Sequence, residues 1–390
     1  MKSFEQSELL KRLPSQFFAA LVKKVGQALK EGYDVINLGQ GNPDQPTPSH
    51  IVERLKIAAE DPNNHKYSPF RGKSELKKAV ADFYLREYDV EINPETEVAV
   101  LFGGKAGLVE IPQCLLNYGD IAMVPDPGYP DYWSGVEIAG ASMAFMPLLE
   151  ENQFLPDYKS IHQDVLKKAK LMFLNYPNNP TGATASREFF EETVQFAEEH
   201  SLCIVHDFAY GAIGYDGHKP VSFLQTEGAK DNGIEIYTLS KTYNMAGWRA
   251  GFAIGNKSVI EAINLFQDHL YVSLFGAVQS AAAAALTESQ DCVKELVAMY
   301  ESRRKALVES FQAIGWKFQA PPGSFFAWLP VPSGYTSVQF ADYLLDKTHV
   351  AVAPGSGFGQ FGEGYIRIGL LTEEHRIREA AERIGRLNLF

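Results

Sequence analysis

The stretch Thr238-Leu239-Ser240-Lys241-Thr242-Tyr243-Asn244-Met245-Ala246-Gly247-Trp248-Arg249 sets a lysine, two hydroxyls and an arginine at fixed offsets behind a strand-like run, Ile234 to Thr238. The lysine amine can condense with an aldehyde. The hydroxyls of Thr238 and Ser240 and the guanidinium of Arg249 can hold a phosphate. An unperturbed lysine has a pKa of ~10.4, so at pH 7 only roughly 1 in 2500 such amines is neutral and nucleophilic. A reactive lysine needs burial or cationic neighbours, which lower the value by up to ~3–5 units. Arg249 is one such neighbour. A solvated surface lysine is the ordinary alternative, and the other loops decide between the two.

Those loops carry matching chemistry. Gly103-Gly104-Lys105 turns from a strand into a helix, where bare backbone N–H groups can approach a phosphate. Asp207 ends an apolar strand, and a buried carboxylate needs a partner. A pyridine nitrogen is such a partner, and with the aldehyde and phosphate it points to pyridoxal 5'-phosphate (PLP). An N-cap or a structural ion pair is the bland reading of Asp207. Tyr210 offers a phenol and Asn179, in Asn175 to Gly182, an amide donor for a ring oxygen. Tyr129, in Pro127-Gly128-Tyr129-Pro130, can stack on a flat ring. Tyr67 can donate to a phosphate. Arg367, inside the strand Tyr365 to Ile368, suits an α-carboxylate or a structural salt bridge.

In combination the motifs GNPDQPTP, KYSPFRG, GGK, PDPGYP, NYPNNPTG, HDFAYG, SKTYNMAGWRAG and YIRIG resemble, in order and over nearly the whole chain, the fold type I PLP-dependent aminotransferases of class I/II. The resemblance implies that Lys241 is the Schiff-base lysine and proton shuttle, and that Asp207 pairs with the pyridine nitrogen. It implies Asn179 and Tyr210 at the ring oxygen and Tyr129 against the ring. Gly104, Lys105, Thr238, Ser240 and Arg249 would surround the phosphate, with Tyr67 reaching it from a partner subunit of a homodimer. Arg367 would clamp the substrate α-carboxylate near Asn179 and the backbone of Gly41. Thr238 stands where the family often has serine, and the hydroxyl is kept. The implied activity is ping-pong transfer of an amino group between an L-amino acid and a 2-oxo acid. The sequence is most similar to the group acting on methionine and 4-methylthio-2-oxobutanoate. Aspartate and LL-diaminopimelate aminotransferases are close alternatives, and a C–S lyase shares the same cofactor residues.

Parallel β/α alternation positions these loops. Strands are predicted at 35–38, 97–102, 121–124, 171–174, 203–205 and 234–238, with helices at 15–30, from about 105, and at 186–200. Such a pattern builds a mostly parallel sheet whose ligands sit at the carboxyl ends of the strands. Beyond about Asn256 long helices are expected over 258–286 and 290–314. Short strands follow near 325–329, 350–352 and 365–368, with helices at 337–347 and 373–387. The expected fold is α/β: a large PLP-binding domain over 47–285 with a seven-stranded sheet, and a smaller α+β domain from 1–46 and 286–390.

Composition narrows the function classes. A 390-residue chain with net charge -12 lacks the basic balance of nucleic-acid or anionic-membrane binders. Its N-terminus has no apolar signal-peptide core, and no apolar run is long enough for a membrane span. Cys114, Cys203 and Cys292 lie far apart, without the spacing of a metal site. Their odd number fits a reducing cytoplasm, and buried packing is the expected role of each.

Overall fold

The computed structural model describes residues 2–14 and 17–390. The predicted start of the first long helix at Ser15 lies outside the described residues, and the helix runs Phe17–Lys30.

The strands are, in chain order, β1 (Ile36–Asn37), β2 (Val98–Leu101), β3 (Ile121–Asp126), β4 (Ser142–Pro147), β5 (Ala169–Asn175), β6 (Cys203–Asp207), β7 (Gly233–Thr238), β8 (Gly251–Gly255), β9 (Phe326–Pro330), β10 (Val350–Ala351), β11 (Ala353–Pro354) and β12 (Tyr365–Gly369). Seven of them form one sheet in the order β2-β8-β7-β6-β5-β3-β4. Strands β3 to β7 run parallel, and β8 alone is antiparallel to its neighbours β2 and β7. Strands β2, β7 and β8 are buried along their whole length, as expected of a sheet covered on both faces. One core layer packs Phe83, Tyr84, Phe190 and Phe208, and the other packs Leu108, Tyr132, Phe173 and Ile263.

A second body of structure holds the antiparallel sheet β11-β12-β9 and the parallel pair β1–β10. Its core gathers Ile36 and Leu38 with Leu307, Phe311, Trp316, Phe340 and Ile368. Residues near the N-terminus thus share a core with the C-terminal third.

Some elements differ from the sequence-based expectation. The helix expected over 258–286 is two helices, Lys257–Leu270 and Gly276–Thr287. Tyr271 turns extended, with φ -124, and the segment between the helices is tied down where Ser273 donates to the Ser68 carbonyl at 3.2 Å. Gly276 resumes the helix where a Cβ would collide with Asn64. The strand expected over 350–352 splits into β10 and β11, which pair with different partners. Strands β4 and β8 had not been anticipated. The three cysteines are free and only partly buried, not fully packed as expected. Among the described residues, no helix is long and apolar enough to cross a membrane.

Candidate active site

The carboxyl ends of the parallel strands meet in one cavity of about 720 Å³. Twelve of the thirteen sequence-predicted residues line it: Gly41, Gly104, Lys105, Tyr129, Asn179, Asp207, Tyr210, Thr238, Ser240, Lys241, Arg249 and Arg367. Tyr67 does not. It is 83% exposed, on a loop beside the exposed Phe70.

Lys241 lies on the short helix Leu239–Thr242, which starts as β7 ends. Thr238 caps that helix, accepting from the Ser240 N–H at 3.2 Å, so the lysine's position follows from the strand end. Its Nζ donates to the Gly41 carbonyl at 3.0 Å. Burial lowers its pKa to about 8; Arg367 and Arg249 push the same way, against Asp207. This is the shift that a nucleophilic amine requires.

Asp207 closes β6, directly opposite Asn175 of β5 in the sheet register. It is buried, and one carboxylate oxygen accepts from the Tyr132 hydroxyl at 2.8 Å. Burial raises its pKa to about 6, against the Tyr132 hydrogen bond and His206. A carboxylate held at that cost suits a cationic ring nitrogen facing it.

At another wall the helix Gly104–Leu115 begins without a side-chain cap, leaving its first N–H groups available for an anion. The Thr238 and Ser240 hydroxyls stand 2.8 Å apart beside it. The Arg249 guanidinium closes over Gly103, whose φ is +84 and where a Cβ would fall 2.6 Å from Arg249 Nη2. Both the backbone conformation and the space there require glycine. Lys105 lines the cavity with its side chain paired to Asp131 at 2.9 Å.

Arg367 comes from β12 and is fully buried. Its Nη1 donates to Asn179 Oδ1 at 2.8 Å and its Nη2 to the Gly39 carbonyl at 3.1 Å. Its guanidinium lies 3.9 Å from the Phe326 ring centre and 4.6 Å from that of Phe358. Burial pushes its pKa down, opposed by the phenols of Tyr210 and Tyr129. The cation would gain from an anion brought into the cavity.

Sequence reasoning had not singled out Tyr132, Asn175, Leu21, Val22 or Phe326. Tyr132 sits in the first turn of the helix Asp131–Ala139, and the ring of Tyr129, which precedes that helix, lies 6.0 Å from its own. Asn175 stands inside a motif already noted, and its amide donates to the Asp207 carbonyl at 2.7 Å. Leu21 and Val22 reach the cavity from the helix Phe17–Lys30, which no local signal connects to the strand ends.

The family model for aminotransferases of class I and II matches residues 33–384. The chain belongs to that family. The L-glutamine–4-(methylsulfanyl)-2-oxobutanoate aminotransferase of Bacillus subtilis is 69% identical over 387 residues, covering 99% of this chain and 97% of that one. An LL-diaminopimelate aminotransferase of Halothermothrix orenii is 46% identical over 380 residues, 97% and 98% of the two chains. The substrate-bound structure of BacF from Bacillus subtilis superposes with a TM-score of 0.95 at 50% identity, covering 100% of this chain and 98% of that chain. The chain is therefore a transaminase with the type I fold, and its cofactor is PLP. The cavity fits that group: a buried carboxylate for a ring nitrogen, a desolvated amine for an aldehyde, and a glycine-lined helix start with two hydroxyls and a guanidinium for a phosphate.

Proposed function

We propose that the enzyme aminates 4-methylthio-2-oxobutanoate to methionine, with glutamine as the amino donor. The cation inventory of the cavity carries this reading. Among the described residues, the cationic side chains lining it are Lys105, Lys241, Arg249 and Arg367. Lys105 is paired with Asp131. Lys241 serves the aldehyde, Arg249 the phosphate and Arg367 the substrate α-carboxylate. None of this chain's own remains for a second carboxylate on the substrate side chain, and the walls include Leu21, Val22 and Phe326. A neutral, apolar side chain meets that surface without stranding a charge. The name of the 69%-identical relative supports the same substrate pair.

When bound, PLP supplies an electrophilic aldehyde and an electron sink. The protein's groups do the rest. Arg367 and Asn179 hold the carboxylate and orient Cα. Lys241, with its lowered pKa, takes the Cα proton and returns it. Asp207 would keep the ring nitrogen protonated. Gly104, Lys105, Thr238, Ser240 and Arg249 would hold the phosphate, Tyr129 would stack on the ring, and Tyr210 and Asn179 would donate to its oxygen. One cavity and one amine serve donor and acceptor in turn, hence a ping-pong order.

The working unit in this reading is a homodimer, with Tyr67 reaching the neighbouring phosphate. Support comes from the exposed side chains of Tyr67, Phe70, Val272 and Phe275 on two adjoining loops, an apolar face that a second copy would cover. A core shared by Ile36, Leu38 and residues of the C-terminal third, joined by Ala209, Tyr210, Ile213 and Tyr215, supports a large domain over 47–285 and a small one from 1–46 and 286–390. Three free thiols suit the cytoplasm.

The test is a panel of 2-oxo acids against glutamine, aspartate and LL-diaminopimelate, scored by kcat/KM. We expect 4-methylthio-2-oxobutanoate to exceed oxaloacetate by roughly a hundred-fold, the scale on which an unmatched buried charge discriminates. Equal or better turnover of dicarboxylic substrates would show that the cavity does supply a further cation.

A further inference from the structure

We propose that His206, held from behind by Glu235, is a positioning residue for the substrate-carboxylate clamp. It fixes the turn after β5 and, through Asn179, aims Arg367. This rests on Arg367 being the clamp.

The two side chains form a pair that is fully buried, with 0% exposure of each and Nδ1 of His206 2.7 Å from Glu235 Oε2. Strand alternation on β6 puts Asp207 toward the cavity and His206 on the opposite face, where its ring lies 5.1 Å from those of Phe190 and Phe208. His206 therefore touches neither cofactor nor substrate. A buried, hydrogen-bonded polar pair contributes little net stability compared with well-packed apolar side chains, so stability alone does not account for one here.

The hydrogen bonds indicate what the pair holds. Glu235 Oε1 accepts from the Tyr84 hydroxyl at 2.7 Å and from Ser222 Oγ at 2.8 Å. Its Oε2 accepts from the Phe223 N–H at 2.9 Å. With those donors in place the carboxylate acts only as an acceptor, so Nδ1 of His206 is the donor to it. That leaves the ring fixed in plane, with Nε2 aimed at one peptide unit of the turn. It lies 3.0 Å from the Tyr176 carbonyl oxygen and 3.3 Å from the Tyr176 nitrogen.

Tyr176 is the first residue after β5, and Asn179 follows three positions later. The Asn179 N–H donates to Asn175 Oδ1 at 2.8 Å, and Asn175 Nδ2 donates to the Asp207 carbonyl at 2.7 Å. Strand β6 thus grips the turn at two successive residues, His206 and Asp207. The far end of the turn accepts from Arg367 Nη1 at Asn179 Oδ1. A slip at Tyr176 would move Asn179, and the guanidinium with it.

Asparagine can mimic Nδ1 of histidine, and glutamine Nε2. His206→Asn therefore keeps a donor for Glu235 and loses Tyr176, whereas His206→Gln keeps the Tyr176 contact. The probe is 4-(methylthio)butanoate, a carboxylate with no amino or oxo group, titrated calorimetrically into the PLP-loaded enzyme. We expect His206→Asn to weaken its Kd and raise substrate KM roughly ten-fold, with kcat and PLP affinity within about three-fold of the parent. His206→Gln should bind the probe like the parent, and in His206→Asn/Asn179→Ala the two losses should not add. A lowered Tm with unchanged probe Kd in His206→Asn, or fully additive losses, overturns the proposal. If His206→Asn does not fold, His206→Gln decides: a ten-fold loss there overturns it as well. Arg367→Ala is the control. Parent-like probe binding in that variant refutes the clamp itself, whereas weakened binding there with an unaffected His206→Asn refutes only the role of His206.

Discussion

Removing the charge of Asp207 should stabilise the cofactor-free protein, by an amount that depends on pH. Its carboxyl is raised from 3.8 to about 6, chiefly by burial. A folded-state pKa above the unfolded value means that the protonated form is the one favoured by folding. That advantage is complete below about pH 4 and is lost as pH rises through about 6. At about 1.4 kcal/mol per pKa unit, Asp207 costs the fold about 3 kcal/mol at pH 7.5, where it is ionised, and about 1 kcal/mol at pH 4.5, where it takes up a proton on folding. Asp207→Asn keeps an acceptor for the Tyr132 hydroxyl without the buried charge. The cofactor-free variant should therefore exceed the cofactor-free parent by about 3 kcal/mol near pH 7.5, and by about 1 kcal/mol near pH 4.5. Urea denaturation of both at one protein concentration measures the gap. Adding PLP should stabilise the parent more than the variant, since only the parent offers the ring nitrogen a counter-charge. A gap that does not change with pH, or a parent more stable than the variant at pH 7.5, would refute the assignment of burial as the dominant cause.

Two further outcomes follow from the same cavity. Lys241, lowered to about 8, becomes neutral as pH rises, so the rate at which cofactor-free protein captures PLP should increase roughly ten-fold from pH 7 to pH 9; stopped-flow absorbance reads it, Lys241→Ala should show no capture and no turnover, and a midpoint near that of free lysine would remove the argument. Gly103→Ala places a Cβ 2.6 Å from Arg249 Nη2 on a backbone with φ +84. It should lower stability by about 1–3 kcal/mol and weaken PLP binding roughly ten-fold, and an unchanged PLP Kd would show that Arg249 does not depend on the turn.

Most residues legible in the sequence share one property: they lie at or shortly after the end of a strand. In a parallel sheet those ends lie side by side, so Asn179, Asp207 and Lys241 converge once β5, β6 and β7 pair in register. Arg367 was legible for a different reason, a charge inside a strand otherwise built for burial. What was not legible is contact without a sequence relation. Tyr132 finds Asp207 across 75 positions, and Leu21 and Val22 close on loops that no periodicity ties to their helix. Strand β4 escaped notice because it is a half-exposed edge with no clean alternation. Strand β8 was hidden behind the arginine motif that precedes it. The break after Leu270 depends on Ser68 and Asn64 pressing against the chain, a tertiary cause that helical spacing does not encode.

The charge distribution also explains how an acidic chain attracts anionic substrates. The net charge is -12, yet Lys241, Arg249 and Arg367 all face the same cavity, where Asp207 supplies the buried counter-charge. Burial and mutual repulsion lower the lysine, and burial lowers Arg367. In the proposed reading each of these strains would be relieved by an anion: a phosphate beside Arg249, a carboxylate beside Arg367. The same repulsion leaves Lys241 as the group that gives up its proton, because an amine releases it more readily than a guanidinium does. Two jobs that seem opposed, gripping anions and offering a neutral amine, thus come from one cluster, and the ranking of basicities within it decides which side chain does which.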